Sequence, residues 1–190
     1  MARDPDTQPD MDTTPEQRRF LHDEFYGLTL GATVQRAKVY ADGVADPDRR
    51  VFQRRLQQQL EAIAVRYKDP QDDANHVAQI EQLATSLSSE CRGVLRGGRF
   101  RIGPAQKALN LFLKYLWCAG EIGPPPHCPF DYRIIQRLKL SQRINWTDLD
   151  DSATYMALVK ATRAQAAPLA LPDWELQTYN TVSEAAIRAT

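Results

Sequence analysis

No stretch of this 190-residue chain approaches the run of roughly 20 apolar residues that a membrane-spanning helix needs. The opening MARDPDTQPDMDTTPEQ lacks a basic region followed by an apolar one, so it does not read as a secretory leader. Cysteine is scarce. Cys91, Cys118 and Cys128 form no paired framework, which points to a reducing, cytoplasmic setting. Thiolate and imidazole suit zinc, but the spacing of Cys118, His127 and Cys128 matches no common zinc pattern, and buried free cysteine is the favoured reading. No cofactor motif is present, and neither repeats, βαβ alternation nor a heptad array interrupts the chain.

Net charge is also absent, with 24 basic and 24 acidic residues, but the two signs are unevenly distributed. Between positions 92 and 143 stand ten cations: Arg92, Arg96, Arg99, Arg101, Lys107, Lys114, Arg133, Arg137, Lys139 and Arg143. Only Glu121 and Asp131 oppose them, so the segment carries 10 − 2 = +8 and the remainder −8. Such separation suggests an anionic partner, nucleic acid first, or a basic surface against which acidic neighbours fold.

What remains reads as helix nearly throughout. Residues 1–13, rich in Asp, Pro and Thr, read as a disordered acidic lead-in, and residues 14–190 as one all-α domain of about seven or eight helices. Thr14-Pro15-Glu16-Gln17 offers a capping box for a helix to about Tyr26. A short helix is expected over Thr33 to Ala41, ended by Asp42-Gly43. From Asp46-Pro47, the residues Phe52, Leu56, Leu60, Ile63 and Tyr67 form one apolar stripe, and Val77, Ile80, Leu83 or Ala84, and Leu87 form the next. CRGVLRGGRFRIGP is a long turn or small β-hairpin, because its glycines break helical continuation. Pro104 is placed to open a helix to about Cys118 that is apolar nearly all round, the mark of a bundle centre. After the stiff GEIGPPPHCP, Pro129 opens a helix through Leu140, and two more are expected from about Asp148 and over LPDWELQTY.

Lys107 falls in the first turn of the Pro104 helix, where the dipole disfavours a cation. That field and the apolar surroundings are expected to lower its pKa, and a neutral amine is a nucleophile. Asp131 has the opposite match: at the start of the next helix, N–H groups and dipole favour its charge. The same residues also admit a plain reading, as a lysine that reaches out to solvent and a helix-capping aspartate.

Ile102-Gly103-Pro104, then Lys107-Ala-Leu-Asn110-Leu-Phe-Leu113, then Asp131-Tyr-Arg-Ile-Ile together resemble the active-site segment of the helix-hairpin-helix DNA glycosylases. The resemblance covers about 40 residues, Arg96 to Leu138. It departs from the family pattern in having one glycine beside the lysine helix, a longer Gly103–Lys107 spacing and a longer Lys107–Asp131 separation. The four-cysteine iron–sulfur motif of one branch is missing. The resemblance implies a monomeric enzyme without cofactor, acting on double-stranded DNA that carries a modified or damaged base. Lys107 would attack C1′, Asp131 would stabilise the sugar's positive charge, and β-elimination could then nick the strand.

On this reading Arg96, Arg99, Arg101, Lys114, Arg133 and Arg137 are the expected DNA contacts, and Trp117, His127, Phe130 and Trp146 the expected base pocket, with Trp174 as a further aromatic; core tryptophans and a satisfied loop histidine are the favoured plain readings of those residues. The role would be repair, or defence against foreign DNA with unusual bases. The alternatives are a non-catalytic helical nucleic-acid-binding module and a protein-interaction bundle.

Overall fold

Side-chain caps set most of the helix starts in this computed structural model, which describes residues 13–138 and 144–188. At the head of α1 (Pro15–Ala37), the Thr14 hydroxyl accepts from the Gln17 N–H and the Gln17 side chain accepts from the Thr14 N–H. α2 (Asp46–Ala64) opens on a first-turn proline without a side-chain cap and ends in a 3-10 turn, Val65–Lys68. Asp72 caps α3 (Asp73–Glu90) by accepting from Asn75 N–H at 2.7 Å. α4 spans Ile102–Cys118, α5 is the single turn Tyr132–Ile135 capped by Asp131, α6 is Ser152–Ala166 capped by Asp151, and α7 is Leu171–Arg188.

Helix α4 is the centre of the bundle, buried from Ile102 to Lys114, with α1, α2, α3 and α6 packed around it. Leu109, Phe112 and Leu113 meet Phe52, Leu56 and Leu60 of α2, Ile80, Leu83 and Leu87 of α3, and Tyr155, Leu158 and Val159 of α6 in one apolar cluster. Each fully buried Leu or Phe contributes roughly 1.5–3 kcal/mol of transfer free energy, so this single cluster holds the helices together. The result is one compact all-α domain of about seven helices, with no strand among the described residues. Within them, no helix is long and apolar enough to cross a membrane.

Two elements differ from expectation, and a third settles an open one in favour of the turn. The two helices expected over Thr14–Tyr26 and Thr33–Ala41 are one, because Tyr26, Thr29 and Thr33 continue a single buried face onto α4 through the intervening glycines. It stops at Lys38, in left-handed backbone (φ 45°), before Asp42-Gly43 is reached. The glycine-rich stretch after α3 forms a 3-10 turn, Arg96–Gly98, with Gly97 and Gly98 both at positive φ, and not a hairpin. It is tied to the exit of α1 by a lone antiparallel bridge, Tyr40–Leu95, with Arg96 N–H donating to Val39 O and Ala41 N–H to Val94 O. The helix expected from Pro129 to Leu140 regains only one turn before Gln136, and residues 139–143 lie outside the described residues, as do 1–12 of the expected acidic lead-in.

A further difference positions the site. α4 begins at Ile102, two residues earlier than Pro104, because Gly103 N–H donates to Leu149 O at 2.8 Å. The 3-10 turn Trp146–Asp148 leads into that carbonyl, so a neighbouring backbone supplies the cap that no side chain provides. A Cβ on Gly103 would lie 1.8 Å from the Trp146 carbonyl oxygen.

Candidate functional site

Helix α4 carries Lys107 on its flank, and its amine donates to Asp131 Oδ2 at 2.8 Å. The lysine side chain is only 7% exposed and the aspartate 24%. The other carboxylate oxygen, Oδ1, accepts from Arg133 N–H at 2.9 Å and Ile134 N–H at 3.2 Å, so one group caps α5 and holds the amine. Burial works to raise the Asp131 pKa, but Lys107 and those two N–H groups outweigh it, leaving the carboxyl below its ordinary value. Asp131 is a carboxylate at neutral pH. Because α4 starts at Ile102, Lys107 sits in the second turn and not the first, where the helix-end field has already fallen away. Its apolar seat and its carboxylate partner, more than the dipole, define its environment.

The pair lines a cleft of about 230 Å³. Gly31, Gln35 and Arg36 of α1 form one wall, with Tyr115, Arg133, Trp146 and Tyr179 elsewhere around it. Of the aromatics expected to line a base pocket, the structure brings Trp146 there. Tyr115 and Tyr179 join it without having been expected there; Tyr115 sits on the nearly all-apolar α4, which reads from sequence as packing.

His127, Phe130 and Trp117 are placed elsewhere. Trp117 lies ten residues along α4 from Lys107, about 15 Å at helical rise, half-buried near the helix end. Phe130 is fully buried against the Tyr155 ring. His127 is fully buried in a polar network centred on Tyr155: its Nδ1 pairs with Tyr155 Oη at 2.7 Å and its Nε2 with Asp73 Oδ1 at 3.1 Å. Asp73 is itself gripped by Arg163.

The network continues from Tyr155 Oη to Asn110 Nδ2 (3.1 Å), from Asn110 Oδ1 to His76 Nε2 (2.8 Å) and from His76 Nδ1 to Tyr67 Oη (2.6 Å). Gln106 adds two bonds to the Phe130 backbone: its Nε2 donates to the carbonyl at 2.8 Å, and its Oε1 accepts from the N–H at 3.1 Å. The proline-rich connection is thereby clamped on the residue next to Asp131. Its satisfied polar groups make it a rigid strut.

Burial lowers the pKa of His76 to about 3 and of His127 to about 4. Both rings are neutral in the folded protein and take up protons on unfolding below their ordinary value near 6.5. Stability present above that value is therefore expected to fall as pH drops from 6.5 towards 4, with an uptake of about two protons per molecule on unfolding. His76→Gln should reduce that uptake by about one, measured by urea denaturation across the range; an unchanged uptake would contradict the buried neutral ring.

The expected DNA contacts divide. Arg133 lies exposed at the cleft, and Arg137 is exposed beyond α5. Arg96, Arg99 and Arg101 line a second cleft of about 400 Å³, where Arg99 meets Asp150 at 3.0 Å and Arg101 meets Asp148 at 3.6 Å. Such exposed pairs contribute little to stability and exchange readily for another anion.

Lys114 is not on the surface. One turn pair further along the Lys107 face, it is buried against Glu175 of α7 at 2.6 Å and lies 4.6 Å from the centre of the Tyr179 ring. Burial raises the Glu175 carboxyl above its ordinary pKa, with Lys114 offsetting part of the rise. Lys114→Ala is expected to cost about 3 kcal/mol or more of stability, since it strands a buried carboxyl, and to leave the salt dependence of any nucleic-acid binding unchanged. A shallower salt dependence in this variant would put Lys114 back among the phosphate contacts.

Cys118 is exposed while Cys128 and His127 are buried, and among the described residues no group of three potential metal ligands converges. No family model matches the chain, and neither a curated protein nor a solved structure matches it.

Proposed function

We propose that the protein is a DNA glycosylase of the helix-hairpin-helix type, removing a modified base through Lys107 and Asp131, in repair or in defence against modified foreign DNA. The observation that carries this reading is the amine–carboxylate contact at 2.8 Å inside a cleft that also holds Arg36, Arg133 and aromatic walls. A lysine spent only on solubility has no reason to stand 7% exposed beside its own acid.

In the proposed chemistry the target nucleotide leaves the duplex, at a cost of a few kcal/mol of stacking, and enters this cleft. Asp131 takes a proton from Lys107, which frees the amine's lone pair. The Lys107 Nζ–C1′ bond forms as the C1′–base bond breaks, and the base leaves with the bonding pair and acquires a proton. Loss of a second proton from nitrogen, with protonation and opening of the sugar ring, gives a Schiff base that water hydrolyses or β-elimination resolves with strand cleavage. By passing that proton on to the departing base, Asp131 returns to its carboxylate form and faces the positive charge left on the sugar adduct.

Borohydride reduction during incubation with abasic or damaged duplex tests this: a covalent protein–DNA adduct is expected, together with release of free base. A second reading, a helical nucleic-acid-binding module without chemistry, draws on the basic cleft beside Arg36. It predicts duplex binding with neither adduct nor released base.

A further inference from the structure

The two clefts adjoin: Arg36, near the end of α1, lines both. The larger one collects cations from segments far apart in sequence. Arg36 and Lys38 come from the exit of α1, and Arg96, Arg99 and Arg101 from the turn before α4. The bridge between Tyr40 and Leu95, with the Arg96 N–H to Val39 O bond of 2.8 Å, fixes these segments side by side. Arg36 and Lys38 lie outside the basic segment at 92–143, so no charge window would have joined them to it.

Among the described residues, neither Arg36, Lys38 nor Arg96 forms an ion pair, and all three are exposed. Arg99 and Arg101 have carboxylate partners; one of these, Asp148, stands in the groove with Asn145 and Thr147. The charge is therefore graded, uncompensated on the α1 side and paired on the other. Positive lining then continues past Arg36 to Arg133 in the Lys107 cleft. Cations spread along two joined cavities fit a chain of phosphates better than one small anion, which needs donors converging on a point.

We infer that this groove binds the phosphodiester backbone of the strand flanking the nucleotide in the Lys107 cleft. Arg36 engages the phosphate at the junction, and Lys38 and Arg96 engage those beyond it. The inference rests on the glycosylase reading for what occupies the Lys107 cleft, but its test is binding alone. Phosphate contacts of this kind are independent of base sequence and position the strand for the chemistry next door.

The test is fluorescence anisotropy of the full chain with a duplex containing a non-cleavable abasic analogue, titrated in salt. Each lost phosphate contact should flatten the slope of log affinity against log salt by about 0.9. Arg36→Gln is expected to weaken low-salt binding about five- to tenfold, and Arg36→Gln/Lys38→Gln/Arg96→Gln to flatten the slope by two to three contacts' worth, about 2–3. These exposed positions should leave the thermal melt unchanged, and Arg54→Gln, an exposed arginine of α2 outside both clefts, should leave binding unchanged. Wild-type affinity and slope in the folded triple variant would overturn the inference while leaving base release and adduct formation to be judged separately. Loss of binding in that variant, with no released base from any substrate, would sustain the groove and remove the glycosylase reading. A heparin fragment of equal charge is expected to compete poorly with the duplex; equal competition would overturn the assignment to nucleic acid.

Discussion

Lys107→Met should abolish base release and adduct formation while leaving the protein folded and nearly as stable as the parent. Methionine fills similar length without a charge, and the apolar seat that leaves Lys107 7% exposed accepts a thioether readily. Asp131 loses one partner but keeps the N–H groups of Arg133 and Ile134, and at 24% exposure it can gain water. Replacing a buried charge by a hydrophobic side chain is often neutral or stabilising, although the stranded carboxylate works against that here. The net change is expected within about 2 kcal/mol either way. Loss of a covalent nucleophile, by contrast, costs about four orders of magnitude or more in rate.

Lys107→Arg should be as inactive, since guanidinium stays protonated and forms no Schiff base, yet it preserves the charge facing Asp131. A folded Lys107→Met protein with parental activity would show that the ion pair only staples α5 to α4.

Gly103→Ala is the second large effect. The added methyl would stand 1.8 Å from the Trp146 carbonyl oxygen, 3.0 Å from its carbonyl carbon and 3.3 Å from the Leu149 Cβ. The first is a backbone atom and cannot rotate aside. The turn must back away, breaking the Gly103 N–H to Leu149 O bond that starts α4 and withdrawing Trp146 from the cleft wall. Overpacking against fixed backbone costs about 3 kcal/mol or more, which lowers the thermal midpoint by roughly 6–12 °C in a domain of this size. Activity should fall further than stability explains, because the cleft loses a wall. A melt within 2 °C of the parent, by scanning calorimetry, would contradict the close approach of the two backbones.

Gly103 stands in the segment that carries the family resemblance, and the structure adds a second use for it, the admission of another backbone, that the sequence does not show. The closing of α4 on Leu149 depends on a contact 46 residues away, which local pattern cannot contain. Apolar periodicity, by comparison, marks the buried faces of α2, α3 and α4, though not their ends, because each face is written in its own residues.

Asp131 as a cap was legible from its position after Pro129, and its pairing with Lys107 follows from both lying where α4 and α5 meet. His127 was legible as a satisfied histidine, but its partners were not. Nothing in GEIGPPPHCP tells that the ring turns inward to Tyr155 and Asp73 instead of towards a bound base. Arg36 and Lys38 were missed because they reach the basic groove only through the packing of α1 on α4 and the Tyr40–Leu95 bridge. Charge counted along the chain sees neighbours in sequence, and this groove is built from neighbours in space.

The central claim is that the Lys107 amine is a nucleophile, and the most direct measurement is peptide mapping of the borohydride-trapped adduct by mass spectrometry. The account predicts a single modified lysine, Lys107, bearing the deoxyribose remnant. Modification of any other amine, or no adduct on any damaged duplex that the protein binds, would contradict it.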